Sequence, residues 1–337
     1  MAKTALITGV TGMVGSHLLD YLVDNTDWNI VGMCRWRSPL DNITAHLPQI
    51  NDGKRIRLAY GDLRDSVAVR QVVERAQPDY VFHLAAQSFP QTSFHSPLDT
   101  LDTNIQGTAR LLEALKSVNP KAVIHVCASS EVFGRVSREQ LPIGEDCSFH
   151  PASPYAISKV GTDLIGRFYA EAYQMTVMTT RMFTHTGPRR GDVFAESSFA
   201  KQIAMAELGF IDPIIKVGNL DSLRTIADVR DAVRAYHMLL TCSPESGAFY
   251  NIGGSYSCSI RQMLEFLISL SPLQNQLRVE VDPQRLRPID ADLQIPDTSK
   301  FHSKTGWSPQ ITFETTMSDL LNYWRFKLKV EGGSLIR

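Results

Sequence analysis

Long apolar runs, paired-cysteine motifs and an excess of charge of either sign are all missing from this chain. No stretch approaches the roughly 20 apolar residues needed to span a bilayer, which argues against a transmembrane helix. Lys and Arg number 34 against 35 Asp and Glu, a formal net charge of −1, so no global field recruits nucleic acid or a membrane surface. The five cysteines (Cys34, Cys127, Cys147, Cys242, Cys258) are scattered and form no CxxC pair. That pattern fits reduced, mostly buried thiols better than a disulfide framework or a zinc site, and no metal is expected. Residues 1–9 hold only a short apolar run that breaks at Gly9, unlike a secretory signal. A cytoplasmic protein is therefore expected. Internal repeats, low-complexity tracts and long linkers are also absent, and 337 residues suffice for one large or two modest domains.

The first half reads as a nucleotide fold. Thr4–Thr8 is a short apolar strand, followed by Gly9-Val10-Thr11-Gly12-Met13-Val14-Gly15 and an amphipathic run through Leu18, Leu22 and Val23. Strand, glycine turn and helix are the context a dinucleotide site requires. Gly9 permits the tight turn, Gly12 lets backbone approach a pyrophosphate, and Gly15 lets helix and strand pack closely. The helix N-terminus supplies free amides to the anion. A second strand, Asn29–Cys34, ends at Arg35-Trp36-Arg37-Ser38, where NAD sites tend to place an acid; arginines suit a 2′-phosphate, so NADP is expected over NAD. A third strand, Ile56–Tyr60, delivers Gly61-Asp62-Leu63, with Asp62 placed to accept from an adenine amine and Leu63 to pack on the ring. After a helical run at 67–76, Asp79–Ala86 reads as a fourth strand whose small-residue end admits a cofactor backbone. A helix over Asn104–Leu115 and a strand over Ala122–Cys127 bring Ala128-Ser129-Ser130-Glu131 to a carboxyl strand end. The alternation predicts an α/β fold: a Rossmann-type, doubly wound parallel sheet with a smaller C-terminal substrate-binding domain.

Tyr155 and Lys159 follow, four residues apart in Ser153-Pro154-Tyr155-Ala156-Ile157-Ser158-Lys159. Ser153 suits an N-cap and Pro154 the first helical position, so both side chains are predicted on one helix face. A neighbouring ammonium favours phenolate, which makes a tyrosine usable as a base. A surface Tyr/Lys pair is the bland alternative, and only the glycine motif upstream raises the pair above it.

Taken together, Gly9-x-x-Gly12-x-x-Gly15, Gly61-Asp62-Leu63, His83-Leu84-Ala85-Ala86, Ser129-Ser130-Glu131 and Tyr155-x-x-x-Lys159 resemble the extended short-chain dehydrogenase/reductase superfamily. Within it the chain is most similar to the GDP-mannose 4,6-dehydratase group. That similarity rests on Leu84-Ala85-Ala86-Gln87-Ser88-Phe89, Ser130-Glu131-Val132-Phe133-Gly134, Gly187-Pro188-Arg189-Arg190-Gly191, Val217-Gly218-Asn219-Leu220-Asp221, Arg287-Pro288 and Thr305-Gly306-Trp307-Ser308-Pro309. The group usually has Thr-Ser-Glu at Ser129–Glu131, Asn-His-Glu-Ser-Pro at Thr184–Pro188, and Lys-Arg-Asp-Trp at Leu223–Ile226. These departures surround the substrate pocket.

The resemblance implies catalytic Ser129, Glu131, Tyr155 and Lys159. It implies cofactor contacts from Gly9, Gly12, Met13, Val14, Gly15, Arg35, Asp62, Leu63, Leu84, Ala85, Ala86, Tyr155, Lys159 and His185. Substrate contacts fall to Ser88, Thr184, Arg190, Lys201, Val217, Asn219, Arg224, Arg287 and Asp290. Basic residues cluster after about residue 180 (Arg181, His185, Arg189, Arg190, Lys201, Arg224, Arg285, Arg287), as a sugar-nucleotide diphosphate requires. Arg224 and Arg287 are the expected diphosphate ligands by position in the resemblance. The division expected is 1–181 plus about 225–255 for NADP, and 182–224 plus about 256–330 for the nucleotide sugar. Asp228–Leu240, Ile260–Leu270 and Phe313–Leu328 read as helices, and Asn251–Gly254 as a loop.

In such a site Tyr155 takes the C4 hydroxyl proton, Ser129 holds the oxygen, and Glu131 serves as base at C5 and then acid at the C6 hydroxyl. Three readings stay open beside a GDP-mannose dehydratase: a GDP-manno-heptose dehydratase, an NADPH-dependent GDP-4-keto-6-deoxymannose reductase, and a non-catalytic nucleotide-binding protein. A homodimer or homotetramer is implied, with Arg35–Asn42 a loop that could meet a neighbour.

Overall fold

The computed structural model describes residues 2–242, 244–286, 289 and 291–332. Six strands rich in apolar and β-branched residues alternate with helices: β1 (Thr4–Thr8), β2 (Asn29–Cys34), β3 (Ile56–Tyr60), β4 (Tyr80–His83), β5 (Val123–Cys127) and β6 (Thr176–Met182). With Phe249–Ile252 they form a seven-stranded sheet in the order Phe249–Ile252, β6, β5, β4, β1, β2, β3, and every pairing in it is parallel. Strand order reverses between β1 and β4, so a crevice opens at their carboxyl ends. Both faces are covered, as a parallel sheet demands. Leu18, Leu19 and Leu22 of α1 (Met13–Asn25) pack one face together with Val233, Tyr236 and Leu239 of the Val229–Thr241 helix. On the other, Val69, Val73, Leu111, Leu115 and Tyr169 come from the Ser66–Ala76, Gly107–Val118 and Pro154–Tyr173 helices.

A third core, including Phe199, Ile203, Met263, Leu264, Leu320 and Trp324, organises the second half. It underlies a small sheet in which Leu223–Asp228 pairs antiparallel with Tyr256–Ser259 and parallel with Leu293–Gln294 and His185–Thr186. Two sequence expectations change. The fourth strand stops at His83, and Leu84–Ala86 leaves the sheet. Asn251 and Ile252, expected in a loop, belong to the edge strand beside β6. Among the described residues no helix is long and apolar enough to cross a membrane.

Candidate active site

A cavity of about 870 Å³ runs from the β1–β4 crevice into the second half. Its floor is the glycine turn. Gly9 has φ +75°, and a Cβ there would lie 2.9 Å from Ala85 Cα. A Cβ on Gly15 would stand 2.2 Å from the Gly9 carbonyl oxygen, an overlap with backbone that cannot step aside. Thr8 stitches the two strand ends together: its Oγ1 accepts from the Leu84 and Ala85 amides at 3.1 Å each and bonds His83 Nδ1 at 2.9 Å. His83 Nε2 then meets Thr108 Oγ1 at 3.0 Å, and Thr108 donates to the Asn104 carbonyl at 2.6 Å. Burial holds His83 neutral, pushed down to about 3, which suits a relay of neutral hydrogen bonds.

Leu84, Ala85 and Ala86 thus lie against the glycine turn, and with Gly12, Met13, Val14 and Gly15 they line the cavity. These residues fit a dinucleotide: a turn whose glycines leave the backbone open to an anion, at a helix N-terminus. Arg35, Ser38, Asn42, Asp62, Leu63 and Arg64 line it beyond the carboxyl ends of β2 and β3. Asp62 is committed to Arg64, which donates to its two oxygens at 3.1 and 2.9 Å, and this pairing pulls the carboxyl below its ordinary value. Gly15→Ala is expected to yield protein that retains no NADP through desalting, because helix and turn must separate; retention at wild-type stoichiometry would contradict the cradle.

At the end of β5, Ser129 Oγ accepts from the Glu131 amide at 3.2 Å, and the Ser129 side chain acts to lower the Tyr155 pKa. Ser153 caps the tyrosine helix through the Ala156 amide at 3.0 Å, and Pro154 opens it, so Tyr155 and Lys159 both face the cavity. Their electrostatics differ from the sequence expectation. Lys159 donates to the Cys127 carbonyl at 2.7 Å, and burial lowers its pKa. Tyr155 is pushed well above the usual phenol value by burial, with Ser129 and Arg190 acting in the opposite direction. Spacing placed the ammonium on the right face, but the backbone of β5 holds it. His185 also lines the cavity; Nδ1 bonds the Phe183 carbonyl at 3.1 Å, and burial with Arg190 nearby pushes it down to about 4.

Ser88, in the loop after β4, meets Thr184, Arg190, Asn219 and Arg224 of the second half in the same cavity. Arg190 is clamped: Nε donates to the buried Glu196 at 3.0 Å, and the guanidinium lies 3.4 Å from the Phe194 ring centroid. Two expected substrate ligands lie elsewhere. Lys201 turns to Asp192 at 2.7 Å, and the Val217 side chain is fully buried in the third core. Arg287 and Asp290 fall outside the described residues. Arg181, counted among the diphosphate cations, is buried and bonded to Asp163 at 2.7 Å, pinning the tyrosine helix to β6.

Sequence reasoning passed over two residues. Arg285 lines the cavity, with Nη1 on Ser198 Oγ at 2.9 Å; its place in the basic run was the available signal, but Arg287 was preferred. Asn104 sits in a π turn, Asp102–Gln106, and bonds Gln87 on one side and Ser158 of the tyrosine helix on the other, at 2.9 and 2.8 Å. No sequence pattern marks it.

Residues 6–320 match the family described as GDP-mannose 4,6 dehydratase. The chain belongs to the GDP-mannose 4,6-dehydratase family. It is similar to the GDP-mannose 4,6-dehydratase of Yersinia enterocolitica, 31% identical over 354 residues covering 95% of this chain and 93% of that protein. It is equally similar to the GDP-6-deoxy-D-mannose reductase of Pseudomonas aeruginosa, 30% identical over 98% of this chain and 100% of that protein. The solved structure of RMD from Pseudomonas aeruginosa with NADPH superposes with TM-score 0.81 at 28% identity, covering 97% of this chain and all (100%) of that one. Relatives of both names thus match nearly the whole of this chain.

Proposed function

We propose that this chain is a GDP-mannose 4,6-dehydratase-type lyase that uses NADP. The observation that carries the reading is the placement of Ser129, Glu131, Tyr155 and Lys159 in one cavity with the glycine cradle. The glycine cradle with Leu84, Ala85 and Ala86 would hold NADP there, whose chemistry would be to accept the C4 hydride and give it back at C6. Tyr155 removes the C4 hydroxyl proton, and Ser129 donates to the oxygen on which charge changes. A C4 ketone acidifies the C5 hydrogen. Glu131 takes that proton and gives one to the departing C6 hydroxyl, so water leaves and no net oxidation results. Lys159, fixed by the Cys127 carbonyl, would hold the nicotinamide ribose and so orient the ring. Arg190, Arg224 and Arg285 supply cations to the diphosphate, Arg190 from its seat on Glu196.

Arg35 and Ser38 at the adenosine end support NADP over NAD, and the RMD neighbour was solved with NADPH. The reductase reading keeps support from the Pseudomonas relative, which shares the chain's full length. Purified protein incubated with GDP-mannose or GDP-manno-heptose, without added cofactor, is expected to give a product one water lighter; a requirement for stoichiometric NADPH would favour the reductase. Five unpaired cysteines support a reducing compartment, the cytoplasm. Exposed Ile157, Leu164 and Phe168 form an apolar stripe on the outer face of the tyrosine helix, which supports a homodimer or homotetramer; a monomer by light scattering would contradict it.

A further inference from the structure

The turn that carries Arg190 into the cavity is tied to the cofactor half by a cluster in which Arg189 lines the cavity and His17, Asp20 and His46 stand behind it. Arg189 has φ +67°, the left-handed region that disfavours any residue bearing a Cβ. Gln77 and Gln174 share that conformation, but both close helices, where it is ordinary. Arg189 closes none; it sits in a turn in which the Arg190 amide donates to the Gly187 carbonyl at 3.3 Å. A left-handed arginine must be held from outside.

The holding group is Asp20. Arg189 Nη1 donates to its Oδ2 at 2.7 Å, and His46 Nε2 lies 2.6 Å from its Oδ1. His17 adds a second tie: Nε2 donates to the Pro188 carbonyl at 3.0 Å, and Nδ1 stands 3.9 Å from Asp20. Burial and the neighbouring Arg189 lower His17, so it acts as a neutral donor. Asp20 and His17 belong to α1, the helix whose N-terminus closes the glycine cradle. His46 ends the Asp41–His46 turn, whose Asn42 donates to the Thr11 carbonyl of the same cradle at 2.9 Å. Three elements therefore meet on one carboxylate: the cofactor helix, the loop at the adenosine end, and the turn that aims Arg190.

We propose that Asp20 is a positioning residue for substrate binding, holding Arg189 in its left-handed conformation so that the Gly187–Arg190 turn presents Arg190 to the nucleotide sugar. Once the carboxylate is lost, Arg189 relaxes to negative φ and rotates the chain that follows. Arg190 then leaves its seat between Glu196 and Phe194, although nothing that touches the substrate has been changed. The inference rests on the cavity being a GDP-sugar site.

The test compares Asp20→Asn, Arg189→Ala and Arg189→Gly with the wild type, each loaded with NADP and titrated with GDP, which carries the diphosphate without the reactive sugar. Asp20→Asn and Arg189→Ala are expected to bind GDP about tenfold more weakly, the scale of one released left-handed residue. Arg189→Gly adopts positive φ without cost and is expected to stay within about threefold of wild type. With GDP-mannose the loss should fall in KM rather than kcat, which a general loss of structure would not produce, and NADP content reports folding. Equal affinities for Arg189→Ala and Arg189→Gly, or wild-type affinity in Asp20→Asn, would overturn the proposal. A wild type that binds no GDP would instead sink the nucleotide-sugar reading on which it rests.

Discussion

Tyr155→Phe is expected to lower turnover of GDP-mannose about a thousandfold or more while leaving GDP affinity within about twofold, since a positioned base contributes on the order of 10²–10⁴. The ring is buried and its packing survives the change; only the hydroxyl is lost. The influence of the Ser129 hydroxyl on the phenol is lost with it. A pH dependence accompanies this. Burial pushes the Tyr155 phenol above its ordinary value, so the form that acts as a base is scarce at neutral pH and grows as pH rises. Wild-type kcat/KM should therefore climb from neutral into alkaline pH, and the residual activity of Tyr155→Phe should lack that limb. A flat wild-type profile over this range would contradict the assignment of Tyr155 as the base.

Glu131→Gln separates oxidation from elimination. Its carboxylate lines the cavity beside Ser129, whose Oγ accepts the Glu131 amide, so the side chain is aimed by the strand end itself. An amide can accept hydrogen bonds but cannot take the C5 proton or return one to the C6 hydroxyl. Formation of the one-water-lighter product is expected to fall about a hundredfold or more. Exchange of the C5 hydrogen with deuterated solvent, followed by NMR, should disappear with it. Removal of the C4 hydroxyl proton by Tyr155, and with it oxidation at C4, should persist. Turnover equal to wild type would remove Glu131 from the mechanism and turn the reading toward the reductases.

Sequence periodicity and spacing revealed much of this. β1, β2 and β3 have the expected limits, because each is a short apolar run bounded by turn residues. The tyrosine helix starts at Pro154 because its cap and first-turn signals are local. What escaped the sequence depends on long-range partners. Arg181 looks like a diphosphate ligand until Asp163, on another element, takes its guanidinium. Lys201 is drawn to Asp192 in the same way. Helical spacing could place Lys159 beside Tyr155, but the carbonyl that fixes the ammonium comes from β5. The Phe249–Ile252 strand was obscured because it is four residues long and its Asn251 reads as a turn former, whereas the β6 edge supplies the ladder that makes it a strand. Asn104 acts through a π turn that no residue type announces.

The central claim is that hydride leaves C4 and returns to C6 of the same sugar, with Tyr155 and Glu131 moving the protons. GDP-mannose deuterated at C4, incubated with the purified protein without added NADPH and analysed by NMR and mass spectrometry, tests it most directly. The account predicts a product one water lighter that carries the deuterium at C6. Recovery of the sugar with its water intact, or of a dehydrated product with no deuterium at C6, would contradict it.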